Sequence, residues 1–255
     1  MLTIQKLRKS FGKNQVLNGI DLNFDQAGIT AVLGPNGSGK TTLIKCILGM
    51  VIPDNGLISF EGRDVSGQWT YREHINYLPQ IARFPENLTG YELFDLVKDL
   101  RNGTANDRRL IQLFDLQPHL GKRLANLSGG TRQKINLVLA FMYDNPLIIL
   151  DEPTAGLDPV ALLRLKDLIT GEKQKGKTIL ITTHIMSFVE EMADEVVFLL
   201  EGKIYFKGSL QHLLRQYGGG SLEYAIANIL QGNGQYGEGS PPSAGMPVGT
   251  PTAGL

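Results

Sequence analysis

Residues 29–42 read ITAVLGPNGSGKTT, and this stretch decides the fold. An apolar strand stops at Gly34. From there to Thr41 the chain follows G-x-x-x-x-G-K-[ST], and helical spacing then sets in at Leu43, Ile44, Ile47 and Leu48. Strand, glycine loop and helix in that order form the context in which such a loop holds phosphate. Glycines let backbone N–H groups turn inward around phosphate oxygens, and the helix opening near Lys40 adds its positive end. The expected nucleotide contacts are Gly34, Pro35, Asn36, Gly37, Ser38 and Gly39 in the loop, with Lys40, Thr41 and Thr42 where the helix begins. Lys40 suits the β and γ phosphates as a mobile point charge, and the Thr41 hydroxyl suits a magnesium ion.

Further apolar runs recur at LIIL (147–150), TILIT (178–182) and VVFLL (196–200), separated by helical patterns. Continuous apolar strands alternating with helices predict an α/β fold whose parallel sheet is covered on both faces. Ligands in such sheets sit at the carboxyl ends of the strands, and those ends carry GPNGSGKTT, DEPTAGLD and TH. Asp151 is placed to hold magnesium through water, and Glu152 to polarise an attacking water, with Pro153 fixing the direction of Glu152. His184 reads either as a satisfied core imidazole or as a donor sensing a γ-phosphate. Gln80, after INYLP, reads either as a loop glutamine or as a neutral ligand of magnesium or its water.

Strands are also expected over Leu2–Lys6 and Val16–Phe24, giving an N-terminal β subdomain. Between about Asn87 and Asp144 strand patterns give way to helical segments such as YELFDLVKDL and RRLIQLFDL, which predicts an inserted helical subdomain. Beyond Glu201 the pattern suggests a strand pair, a helix near Leu210–Gln216 and the amphipathic SLEYAIANIL. Residues 1–231 thus read as one domain. In the last 24 residues, 232–255, eleven are Gly or Pro, a composition that predicts a disordered tail.

The chain has 255 residues and equal numbers of acidic and basic side chains, 25 each, which argues against a broad attraction to nucleic acid or anionic lipid. No basic patch with interleaved aromatics suggests nucleic acid as a partner. Its single cysteine, Cys46, excludes an internal disulfide or a cysteine zinc cluster and sits at helical spacing as a packed core thiol. No apolar run approaches the roughly 18 residues that span a bilayer, so contact with a membrane is expected only through another chain.

Residues 127–133, LSGGTRQ, complete the set. Ser128 makes a good helix N-cap, and Gly129 and Gly130 leave backbone N–H groups bare at the positive end of the helix. Ile135, Val138, Leu139 and Met142 are the expected buried stripe that anchors it. In order, GPNGSGKT, YLPQ, LSGGTRQ, LIILDEP, AGLD and TTH resemble the nucleotide-binding subunit of an ATP-binding cassette (ABC) transporter over residues 1–231. The resemblance implies a P-loop NTPase core with a mainly parallel sheet, an N-terminal antiparallel β subdomain and an inserted helical subdomain. It also implies ATP and Mg2+ as cofactors and a head-to-tail dimer, expected as a homodimer, in which Ser128, Gly129 and Gly130 cap the ATP of the other protomer. Asp158 matches the residue that crosses that interface in the family. Phe11 matches an aromatic that stacks on adenine, a position the family more often fills with tyrosine; core packing is the alternative.

The resemblance further implies an integral membrane permease as partner, placing the chain in the cytoplasm, peripheral to the inner membrane. Residues 81–94, IARFPENLTGYELF, lie where family members receive a short permease helix. SLEYAIANIL is similar to the end of cassettes that pair with separate ABC-2-type permeases, which favours export. PQIARFPENLTG is similar to cassettes that serve copper-site maturation of nitrous-oxide reductase. A soluble cassette ATPase that assembles a metal cofactor or a protein complex without a permease would have nearly the same sequence.

Overall fold

The computed structural model describes residues 1–101, 103–217 and 221–231; the Gly/Pro-rich stretch 232–255 lies outside the described residues. The N-terminal part comprises β1 (Leu2–Phe11), β2 (Asn14–Phe24), β3 (Gly28–Leu33), α1 (Lys40–Ile47), β4 (Asn55–Phe60), β5 (Arg63–Asp64) and β6 (Ile75–Leu78). Three helices follow: α2 (Gly90–Leu100), α3 (Asp107–Leu113) and α4 (Gly129–Phe141). The chain then runs through β7 (Leu147–Asp151), α5 (Pro159–Gln174), β8 (Thr178–Thr183), α6 (Met186–Met192), β9 (Glu195–Leu200), β10 (Lys203–Ser209), α7 (Leu210–Tyr217) and α8 (Leu222–Leu230).

Two sheets result. β2-β1-β4-β5 form an antiparallel sheet, and β10-β9-β3-β8-β7-β6 form the central one, parallel except where β10 folds back on β9. β7 and β8 are buried along their whole length, and β3 is buried after its first residue. Each face of the central sheet has its own apolar core. On one side α1 and the antiparallel sheet pack together, with Leu43, Ile44 and Ile47 against Leu147 and Leu180. On the other, α2 to α6 cover Ile148, Leu150, Ile179 and Ile181. Alternate residues of the same strands thus face opposite cores, which is why their sequences are apolar throughout.

β1 runs five residues past the expected end at Lys6. Leu2 and Ile4 are buried, Lys6 takes a left-handed φ of 48° at a bulge, and burial resumes at Leu7, one residue out of phase. The alternation therefore breaks while the strand continues. Beyond Glu201 there is one strand among the described residues, in place of the expected pair. The pair is the hairpin β9–β10, and its turn is Glu201–Gly202, with φ of 48° and 70°. Gly202 sits tight: its N–H donates to Ser38 O at 3.1 Å and its carbonyl accepts from Asn18 N at 2.8 Å. A Cβ there would meet Val16 O at 2.3 Å.

The helices between β6 and β7 hang from neighbouring parallel strands, Leu78 pairing with Leu150. α2 opens with a reciprocal capping box between Thr89 and Glu92. α4 is buried well beyond the expected stripe: Ile135, Val138 and Met142 are core residues, but so are Leu137, Ala140 and Phe141, while Leu139 is half-buried. The reason is its position between β6 on one side and α2 and α3 on the other.

Candidate nucleotide site

β3, β7 and β8 end level with one another, Leu33 opposite Thr183 and Asp151 opposite Thr182. This register delivers Gly34, Asp151, Glu152 and His184 to one edge. Gly39 is the N-cap of α1 at φ 109°, a left-handed geometry that leaves the first amides of the helix facing the loop. Lys40 folds back beneath the loop, its Nζ donating to Gly34 O at 2.6 Å and Pro35 O at 3.1 Å, with Glu152 Oε1 3.8 Å away. Burial holds its pKa below the ordinary lysine value, against the pull of Glu152 and Asp151.

Asp151 is 1% exposed. Its Oδ1 accepts from the Thr182 hydroxyl and, at 3.4 Å, from that of Thr41, and its Oδ2 has no partner. Burial raises its pKa above the ordinary carboxylate value; the two hydroxyls oppose the rise. The Ser38 Oγ is likewise buried without a partner. Each such orphan costs about 1–3 kcal/mol, so two at one edge indicate a site shaped for a ligand. Hard oxygen donors with a free carboxylate oxygen fit a magnesium ion. Among the described residues no group of three or more His, Cys, Asp or Glu side chains could hold a metal alone.

Glu152 is buried and takes a left-handed φ of 51°, a conformation that costs a non-glycine residue about 1–2 kcal/mol. Its N–H donates to Thr182 O at 3.0 Å. The strained backbone aims the carboxylate between Lys40 and His184, whose Nδ1 is 3.0 Å from Glu152 Oε2. The His184 side chain is 57% exposed, so the core-imidazole alternative does not hold. Phe11 is 51% exposed at the end of β1, with Lys9 Nζ 5.3 Å from its ring centroid, so core packing does not explain it either.

Gln80 lies two residues beyond β6, exposed, at the strand neighbouring Asp151. It lines a groove of about 610 Å³ together with Phe84, Gly129, Gln133, Ala155 and Gly156. Ser128 caps α4 by accepting from Thr131 N at 3.2 Å. Among the described residues no hydrogen bond or ion pair joins Ser128, Gly129 or Gly130 to the phosphate loop. Asp158 caps α5 through Ala161 N at 2.8 Å and pairs with Lys134 at 2.7 Å. Sequence reading missed Thr182 as a member of this edge and Lys134 as the partner of Asp158. The signal for Thr182 was its hydroxyl in a strand otherwise fit for full burial, where it needs an acceptor.

This architecture, a phosphate loop beside a buried Asp–Glu pair with a helical insertion between β6 and β7, defines an ATP-binding cassette. The chain belongs to the ABC transporter family: the ABC transporter family profile matches residues 17–155, more than half of it. It is of the ATP-binding, ATP-hydrolysing subunit class. The lantibiotic transport ATP-binding protein SrtF of Streptococcus pyogenes is 35% identical over 210 residues, 80% of this chain and 89% of that protein. The daunorubicin resistance ATP-binding protein DrrA3 of Streptomyces coeruleorubidus is 31% identical, over 90% of this chain and 75% of its own. A solved ATP-binding subunit of an ABC transporter superposes with a TM-score of 0.83 at 32% identity, covering 90% of this chain and 99% of the other. A dimeric post-hydrolysis cassette bound to ADP and Pi shares the fold, with a TM-score of 0.72 at 21% identity over 82% and 99% of the two chains. Among the described residues no helix is long and apolar enough to cross a membrane.

Proposed function

We propose that this chain hydrolyses ATP at the edge formed by β3, β7 and β8, within a head-to-tail dimer that drives a separate membrane permease in export. The observation that carries the reading is the convergence of Lys40, Asp151, Glu152 and His184 at that edge, with one Asp151 oxygen unpartnered. Lys40 exchanges the carbonyls of Gly34 and Pro35 for phosphate oxygens, while the N–H groups of residues 36–39 and the start of α1 surround the remainder. Thr41 and Asp151, with Gln80 beyond them, are the residues that would hold Mg2+, which would supply charge neutralisation on the phosphates. Glu152 orients the attacking water and His184 steadies Glu152 through Nδ1. Phe11 offers its exposed face to adenine. Ser128, Gly129 and Gly130, which among the described residues bond to no part of the chain's own phosphate loop, cap the nucleotide of the second protomer, and Asp158, held within its own subunit by Lys134 and Ala161, lies at the interface.

The dimeric cassette among the structural neighbours supports this arrangement. Relatives named for lantibiotic transport and daunorubicin resistance support export as the task; copper-site maturation rests on the likeness of residues 79–90. Glu152→Gln is expected to retain ATP binding and lower turnover by about 10²-fold or more, on the scale of positioned acid–base groups. Unchanged turnover would remove Glu152 from this role. For the permease, the protein is to be recovered from mild-detergent extracts of native membranes. A multi-span protein in near-equal amount is the expected result, and exclusively soluble partners would replace transport by a cassette that assembles other complexes.

A further inference from the structure

We infer that Lys134 is a positioning residue: it ties the first turns of α4 to the loop that runs from Glu152 to α5. The surface offered to a partner's nucleotide and the catalytic loop of the same subunit then move as one body. This inference rests on the head-to-tail dimer proposed above.

Two contacts, one helical turn apart on α4, carry it. Lys134 Nζ lies 2.7 Å from Asp158 Oδ2, with the lysine side chain 22% and the aspartate side chain 49% exposed. Four residues earlier on the same face, Gly130 packs so closely that a Cβ would stand 3.0 Å from Gly156 O. Positions 130 and 134 of the helix therefore meet positions 156 and 158 of the loop. Asp158 serves both sides, because its other oxygen, Oδ1, accepts from Ala161 N at 2.8 Å and caps α5. A single carboxylate fastens α4 to the start of α5. The same loop begins at Glu152, whose backbone is held by Thr182 O at 3.0 Å. The neighbouring Arg132 has no part in this brace: it is exposed and lines the groove beside Gln80.

The consequence is pre-organisation. With the ion pair intact, the loop and the glycine end of α4 meet a partner already fixed relative to each other. Without it, dimer closure must order them. A partly exposed pair of this kind shifts an equilibrium about three- to fivefold; a two-fold dimer contains it twice but also takes up two ATP molecules, so the ATP concentration needed for dimerisation is expected to shift about three- to fivefold.

The test uses the full chain carrying Glu152→Gln, so that ATP is bound without turnover, and reads dimer formation by sedimentation velocity against ATP concentration. Adding Lys134→Met is expected to raise the ATP concentration at half-dimerisation about three- to fivefold. Lys134→Arg restores the parent value to within about twofold. Binding of a fluorescent ATP analogue to dilute monomer stays within about twofold, a readout that general damage to the fold would move. In Asp158→Asn, which retains the capping oxygen, Lys134→Met is expected to add nothing further. Dimerisation of the Lys134→Met protein at the same or lower ATP concentration, or additive effects in the pair, overturns the inference alone. A Glu152→Gln parent that fails to dimerise with ATP overturns the dimer reading and this inference with it.

Discussion

Thr182→Val tests whether the buried carboxylate of Asp151 is held in its ionised form by hydroxyls from a neighbouring strand. Thr182 is fully buried and its hydroxyl donates to Asp151 Oδ1; the remaining donor, Thr41, is at 3.4 Å, and Oδ2 has none. Losing a hydrogen bond to a charged group costs about 1.5–3 kcal/mol, and removing a buried hydroxyl returns roughly 1 kcal/mol, so a net loss of about 0.5–2 kcal/mol is expected near neutral pH. The pH dependence has a definite sign. Burial raises the Asp151 pKa above its ordinary 3.8, so the native state holds the proton more tightly than the unfolded chain. The associated stability is present below about 3.8 and is lost as pH rises through the native value. A protonated carboxyl needs the donor less, so the deficit of Thr182→Val should shrink on acidification. Urea unfolding monitored by tryptophan fluorescence at several pH values measures this. A deficit below about 0.5 kcal/mol at neutral pH, or one that does not change with pH, would refute the account of Asp151.

The two other expectations are more local. Cys46 is 2% exposed and burial pushes its thiol up to about 11, so it should resist iodoacetamide near pH 8 in the native protein and react readily in urea; rapid native labelling would contradict its packing. Gly202→Ala combines a φ of 70° with a Cβ 2.3 Å from Val16 O, so about 2–4 kcal/mol of stability should be lost in thermal or urea unfolding, and a neutral result would mean that the turn shifts freely.

The central sheet was legible because each of its apolar runs must be covered on both faces, and a strand that ends in Gly34 or Asp151 states where the ligand edge lies. What the sequence did not disclose was backbone handedness. Lys6 and Glu152 carry no mark of their left-handed φ, yet the first lets β1 continue past its expected end and the second aims a carboxylate. Nor could spacing show that α4 is enclosed nearly all round, since that depends on which elements lie beside it. Asp158 was readable as a residue of the interface motif. Its partner Lys134 was not, because a lysine in the second turn of α4 has no pattern of its own until α4 and the loop are packed together.

The posture of Lys40 changes how nucleotide capture should be pictured. Its ammonium already has two oxygen acceptors, the carbonyls of Gly34 and Pro35, and so props the loop open from beneath. In the proposed cycle, binding is then a swap of acceptors more than the filling of a gap: the lysine gives up two neutral oxygens and receives charged ones, leaving its number of hydrogen bonds nearly the same. The gain comes chiefly from charge assistance. On departure of the products the same two carbonyls are waiting, so the loop has a resting shape to return to and release does not leave a buried cation bare.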